Sequence, residues 1–208
     1  MINLIGWEKF NRISYRMIEL AYINILWILF TLVGLVIFGI FPATAAMFAV
    51  TRKLIKDEEK FDIFPAFWTS FRSEFLRTNG LGFIFLASSY FFYFDFYFLQ
   101  LNSGELQFLF PVLIFILISG ILTLLFFFPV YAHFNLKFFQ YIKQSFLIAI
   151  TSPIEVITLG AAAGVIFFIA TLFPGIIPLF TGSVFAYVAT LISFRAFARI
   201  ERRQKAQT

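Results

Sequence analysis

The chain lacks cysteine altogether, has one histidine, and only 13% of its 208 residues are charged. Without cysteine there is no disulfide, no thiolate nucleophile and no thiolate metal site. His133 alone cannot make a multi-histidine metal centre within one chain. Also missing are a P-loop, a glycine-rich dinucleotide fingerprint, an HExxH pair and a GxSxG elbow. No cofactor, metal ligand or catalytic residue is therefore assigned, and the chain reads as a non-enzyme. Polar surface is scarce as well: 61% of residues are hydrophobic and the mean hydropathy is +0.91. A soluble domain is roughly 45–50% apolar, so this chain could not clothe a water-exposed globule.

What is present is a series of apolar runs, several reaching the roughly 20 residues that a helix needs to cross a bilayer core of about 30 Å. The run from Val112 to Phe128, VLIFILISGILTLLFFF, does not alternate apolar with polar residues, which excludes a transmembrane barrel. The expected class is an all-α polytopic membrane protein. The net charge of +5 comes from basic residues flanking the runs, the pattern of membrane orientation rather than of nucleic-acid binding. Ala43-Thr44-Ala45 after the first run looks like a signal cleavage site. A run over residues 20–41 exceeds the usual 7–15-residue signal core, so it is expected to stay as a membrane helix.

Topology follows from where the cations stand. All 16 Lys and Arg residues fall in four segments. Lys9, Arg12 and Arg16 precede the first run; Arg52, Lys53, Lys56, Lys60, Arg72 and Arg77 follow Thr51. Lys137 and Lys143 come after the run ending near Tyr131, and Arg195, Arg199, Arg202, Arg203 and Lys205 close the chain. The connections LNSGEL (Leu101 to Leu106) and FPGIIP (Phe173 to Pro178) have none. Keeping every cation on the cytoplasmic side requires the chain to turn at Phe41-Pro42 and come back. The expected layout is six membrane helices in three hairpins, over residues 19–41, 43–56, 81–101, 108–131, 153–173 and 176–196, with both termini cytoplasmic. The second helix is short, about 20 Å at 1.5 Å per residue. Gly39, Phe41 and Pro42 would form its turn, and small residues such as Ala43 and Thr44 would allow close helix contact.

Between the crossings run amphipathic stripes. Phe64, Phe67, Trp68, Phe71 and Phe75 fall on one helical face, as do Phe139, Ile142, Phe146 and Ile150, with Trp7, Phe10, Ile13 and Met17 a rougher set. These predict interfacial helices over residues 4–18, 64–78 and 138–150. The rhythm of one interfacial helix and one hairpin, three times over, suits a transporter-like repeat. The simpler reading, that any six-helix protein with basic inner loops shows it, is preferred.

Few polar residues sit within the runs. Asp95 lies about 9 Å from the Leu101 end of its run, a costly depth for a carboxylate and so a functional candidate. The competing reading places it in an aromatic belt with Tyr90, Tyr93 and Tyr97. Asn24 is expected to bond a neighbouring helix, and His133 to lie at the inner boundary. Ser152, Pro153 and Glu155 have the spacing of a capping box opening the fourth long run. Asp95 and Glu155 fall near opposite faces and are not expected to pair.

The stretch Leu26-Trp27-Ile28-Leu29-Phe30-Thr31, followed by Gly34, Gly39 and FPATAAMFAVTRKL, resembles the YesL-like family of bacterial integral membrane proteins, as does FWTSFRSEFLRTNGLG from Phe67 to Gly82. That family has no established activity; its members are commonly encoded beside carbohydrate ABC-transporter components and sugar-use enzymes in Gram-positive bacteria. The resemblance implies a non-enzymatic protein of the bacterial cell (inner) membrane that assists carbohydrate ABC transport, with the lipid bilayer and permease subunits as partners and no nucleic acid. A second reading is a small-solute carrier or channel lined by Asp95 and the turn at Pro42. A membrane enzyme comes third.

Overall fold

The computed structural model describes residues 2–56, 61–101 and 106–205; the side chains of residues 2–6, 8, 9, 201 and 203–205, and all else of the remaining positions, lie outside it. Among the described residues there are seven α-helices and no strand. They are α1 (Ile2–Val33), α2 (Ile40–Ile55), α3 (Ile63–Leu101), α4 (Phe110–His133), α5 (Gln140–Thr151), α6 (Pro153–Leu172) and α7 (Gly182–Lys205). Five stretches are long and apolar enough to cross a membrane: Phe10–Val33, Ile63–Leu101, Gln107–His133, Pro153–Leu172 and Pro174–Ile200. Helices α2 and α5 are the exceptions, too short at 16 residues (about 24 Å) and 12 residues (about 18 Å).

Helix α2 is the centre of the bundle. It packs against α1, α3, α4 and α7, and Ala43, Ala45, Ala46, Met47, Phe48, Val50 and Leu54 along it are all buried. Its alanines keep neighbouring backbones close. Phe41 lies over Gly82 of α3, where any Cβ would collide with its ring.

The chain does fold back after α1, but not at the proline. The turn occupies Gly34 to Gly39, and Pro42 lies inside the first turn of α2, where the amide hydrogen it lacks would have no helical acceptor. Gly34 and Gly39 are needed for close approach. A Cβ on Gly34 would overlap the Gly39 backbone, and one on Gly39 would stand 2.8 Å from the Phe30 carbonyl oxygen. The left-handed conformation falls instead on Leu35 (φ 55°) and Val36 (φ 65°), an uncommon setting for a β-branched residue.

Two of the three expected interfacial helices have no separate existence. Residues 4–18 continue into the first apolar run as α1, and residues 64–78 continue into the next as α3, a single helix of 39 residues. No proline interrupts either join. Asn79, at the second, bonds the Phe75 carbonyl at 2.9 Å within its own helix. Only Pro153 enforces a break, holding Ser152 at φ −130°, ψ 60° between α5 and α6. The α3 stripe is spent on protein: the Phe30 ring of α1 lies 5.0–6.2 Å from those of Phe64, Phe67, Trp68 and Phe71. On α5 the packed face is Tyr141, Ser145, Ile148 and Ala149, leaving Phe139 and Ile150 exposed. Trp7, Phe10, Ile13 and Met17 of α1 are exposed as well.

Because Val36 is half-exposed and left-handed, Val36→Gly should remove a backbone penalty of about 1 kcal/mol at little packing cost. A higher midpoint of thermal unfolding in detergent is the expected result; an unchanged or lower midpoint would contradict the left-handed assignment.

Candidate functional site

Helix α7 does not start cleanly. Pro174–Ile176 form a 3₁₀ turn and Ile177–Thr181 a π turn before regular helix begins at Gly182. A π turn links each carbonyl to the amide five residues on, which for Pro178 is that of Ser183. Asn24 of α1, 0% exposed, inserts its amide between these two groups. Its Nδ2 donates to the Pro178 carbonyl at 2.7 Å, and its Oδ1 accepts from the Ser183 N–H at 2.9 Å. The side chain thus replaces a backbone link that the irregular turn would leave open in an apolar interior. Gly182 makes room for it, since a Cβ there would lie 3.0 Å from Asn24 Oδ1.

The turn between α1 and α2 is held in the same way. Asn79 Nδ2 of α3 donates to the Phe38 carbonyl at 2.9 Å. Trp27 Nε1 donates to Thr44 Oγ1 at 3.0 Å, and Thr44 in turn donates to the Ile40 carbonyl at 2.6 Å. Gly39 stands at the N-cap of α2. The irregular carbonyl of this turn named here, that of Phe38, is thus met by a side chain of α3.

At the basic end of the bundle, α3 is latched to the connection between α4 and α5. The Tyr131 hydroxyl donates to Glu74, and Arg77 Nη2 donates to the Leu136 carbonyl. The Arg77 guanidinium lies 4.9 Å from the centre of the Tyr141 ring, a cation–π distance. Tyr141 accepts from the Leu136 N–H at 3.1 Å and donates to the Phe134 carbonyl at 3.2 Å. Sequence reasoning missed this latch. Its only local trace is the i, i+3 spacing of Glu74 and Arg77 beside an aromatic stripe, and their partners lie 57 and 59 residues away.

Glu155 is not a capping residue. Ser152 stands at the N-cap and Pro153 at the first helical position, but no side-chain cap bond forms there. Glu155, 4% exposed, instead accepts both arms of Arg199 on α7, at 2.6 and 3.4 Å. A fork-on-carboxylate pair satisfies a buried charge better than one N–H at a helix end could.

Asp95 is exposed and lines a hollow of about 340 Å³ between the end of α3 and the start of α4, with Phe98, Leu99 and Leu109. His133 closes α4, its ring 4.6 Å from that of Phe197 and 5.3 Å from that of Phe194. Asn24, Asp95 and His133 therefore occupy three separate places and do not form one site. A larger groove of about 560 Å³ runs between α6 and α7, lined mostly by apolar groups including Ala163, Ala170 and Phe185, with the Thr171 and Thr181 side chains on its wall. Among the described residues no three His, Asp or Glu side chains converge as metal ligands.

The class is thus an all-α bundle of membrane-protein type, with polar side chains deployed on irregular backbone. The chain belongs to the YesL-like family: residues 20–96 match the family described as "Protein of unknown function, DUF624". It is 33% identical to the uncharacterized protein YesL of Bacillus subtilis (strain 168), over 94% of this chain and 92% of that one. It is 37% identical to YteU of the same organism, over 88% and 82%, and 31% identical to YesV, over 88% and 89%; both are also uncharacterized. No solved structure matches. The family match runs from within α1, through all of α2, into α3 as far as Phe96, so it contains the central helix and its turn.

Replacing Asn24 by leucine strips the Pro178 carbonyl and the buried Ser183 amide of their partner. The expected cost is on the order of 2–4 kcal/mol, read as a lower unfolding midpoint with faster amide exchange at Ser183. If stability and exchange stay at wild-type levels, the amide is not acting as a splice.

Proposed function

We propose that the protein is a non-enzymatic accessory of carbohydrate ABC transport in the bacterial inner membrane, crossing it with six helices in three hairpins and both termini cytoplasmic. Support for the topology is the confinement of all 16 cations to four segments that this layout puts on one side. Helix α2 returns along α1, as the Trp27–Thr44 bond requires, and its short length leaves Arg52, Lys53 and Lys56 to reach the membrane surface by snorkelling. The genomic neighbourhood typical of the family supports the transport context.

The observation that carries the accessory role is the bare hairpin of α3 and α4. Beyond Gly82 only Leu99 of α3 is buried, and nothing in α4 before Thr123. Between the two helices lies a shallow groove floored by Ser88, Ser89 and Gly120, where a further helix could approach closely. A permease helix is the occupant this reading assigns to it. Asp95, lining its own hollow near the hairpin tip, favours the second reading, a small-solute carrier in its own right.

Affinity purification in native lipid should recover carbohydrate permease subunits, and bulky substitution at Gly120 (Gly120→Phe) should reduce their recovery. If no transporter subunit is recovered and the isolated protein moves a solute in liposomes, with flux lost in an Asp95→Asn variant that still expresses, the carrier reading replaces this one. Topology is tested separately. Single cysteines introduced by Glu58→Cys, Ser103→Cys and Gly175→Cys should be labelled on intact cells by an impermeant reagent at positions 103 and 175 only. Labelling at 58 would sink the six-crossing layout.

A further inference from the structure

At the basic end of the bundle a hollow of about 340 Å³ opens between the last turn of α2 and the first turns of α3. Charges of both signs border it, Lys53 from α2 and Asp62, which directly precedes α3. Asp62, Pro65, Ala66, Thr69 and Ser70 all line it and recur at i, i+3, i+4, i+7 and i+8, so they share one face of α3. Among the described residues neither charge enters an ion pair. The Lys53 ammonium stands 5.8 Å from the centre of the Phe61 ring, also on the wall, a cation–π contact that leaves its N–H donors available to an anion. The Asp62 carboxylate is not spent as a helix cap. Only its backbone carbonyl bonds into α3, from the Ala66 N–H at 3.2 Å, and Pro65 has no N–H to give. Nor do the Thr69 and Ser70 hydroxyls turn back to the carbonyl four residues earlier, as those of Thr78, Ser89 and Thr123 do. Two opposite charges and two uncommitted hydroxyls therefore face the same space.

We propose that this hollow binds a zwitterionic phosphoethanolamine group, with Lys53, Thr69 and Ser70 on the phosphate and Asp62 on the ammonium. A simple anion drawn to Lys53 would meet the like charge of Asp62, and a simple cation drawn to Asp62 would meet Lys53. A ligand with both charges on a short tether avoids both repulsions. A phosphate accepts several hydrogen bonds at once, and one ammonium and two hydroxyls are the donors here. The volume stands at the lower end of the roughly 300–1,000 Å³ typical of small-molecule sites, which suits a compact polar head. Asp62, Pro65 and Thr69 are exposed and Lys53 is half-buried, so the hollow is open to a ligand from outside the bundle. In the layout proposed above, this end of α2 lies at the level of the inner headgroups. Phosphoethanolamine reaches it there from two sources, a phosphatidylethanolamine of the bilayer or a soluble phosphoethanolamine compound. The chemistry of the hollow depends neither on that layout nor on the accessory role.

The test uses the full chain in detergent, titrated with phosphatidylethanolamine, phosphatidylglycerol or phosphatidylcholine and read by native mass spectrometry and by the shift in unfolding temperature. Phosphatidylethanolamine should bind and stabilise more than either of the others, since one lacks the ammonium and the other carries it blocked by methyl groups. Lys53→Gln and Asp62→Asn should each weaken that binding by roughly tenfold, the loss of one charge-assisted contact, with the lipid-free unfolding midpoint unchanged. Asp62→Asn should at the same time raise phosphatidylglycerol binding, a reversal that a merely structural role would not produce. Thr69→Ala, at an exposed position, should weaken phosphatidylethanolamine binding by a smaller factor, and Lys143→Gln, exposed on α5, should leave it unchanged. Displacement of the lipid by millimolar phosphoethanolamine identifies a site that takes the free compound as well; no displacement identifies a lipid site. Equal binding of the three lipids overturns the proposal. So does undiminished phosphatidylethanolamine binding in Lys53→Gln and Asp62→Asn.

Discussion

The architecture hangs on a helix that is too short for its surroundings. Sixteen residues of α2 run back beside α1 and are enclosed by α1, α3, α4 and α7. In an apolar solvent an exposed backbone N–H or C=O has no water to turn to, so a helix end that stops short must be covered by protein. That requirement explains why the densest packing collects around Ala43 to Leu54, and why the glycines at 34, 39 and 82 stand where ring or backbone would meet a Cβ. It also explains why the long helices can afford sparse packing away from this centre.

The same requirement accounts for the polar residues. Asn24 and Asn79 each satisfy backbone at a point where the helical ladder is interrupted, and each spans two elements while doing so; Thr44, bonded to the Ile40 carbonyl within α2, ties that helix to Trp27 of α1. Interactions of this kind hold position rather than perform chemistry. The Glu74–Tyr131 and Glu155–Arg199 pairs serve a related end at the basic face, tying α3 to α4 and α6 to α7. A buried pair of this sort adds little net stability against an apolar substitute, but losing one partner strands the other. Such pairs fix which helices lie side by side.

Much of this was legible in the sequence because it depends on composition and period. Helical class, the long apolar stretches and the fold-back after α1 follow from run length and charge placement. The exact turn did not, because Phe41-Pro42 is conspicuous while the turn is made by Gly34 to Gly39, with two left-handed residues, Leu35 and Val36, that carry no local signal. Proline is tolerated at the beginning of a helix as readily as before it, so it marks a boundary only to within a few residues. The role of Glu155 was misread because a capping box and a distant arginine make the same demand on a glutamate, and only tertiary proximity chooses between them. Asn24 was readable as a bonding residue, but the unwound segment 153 residues further on was not. Its bonds to Pro178 and Ser183 required the α6–α7 connection to be placed first.

Helix α3 has a mechanical consequence. At 39 residues it is about 58 Å long, nearly twice the thickness of a hydrocarbon slab. It is held along its first half, by the Phe30 ring against Phe64 to Phe71 and, around the midpoint, by Phe138 against Gly80, Phe41 against Gly82 and the Phe38 carbonyl on Asn79. A rod fixed along one half behaves as a cantilever. A bend of about 10° at Gly82 would swing the Leu101 end by roughly 5 Å, given a free length of about 28 Å. Whatever presses on the helix near Asp95 would therefore load the clasp at Gly82, with no loop in between to absorb the motion.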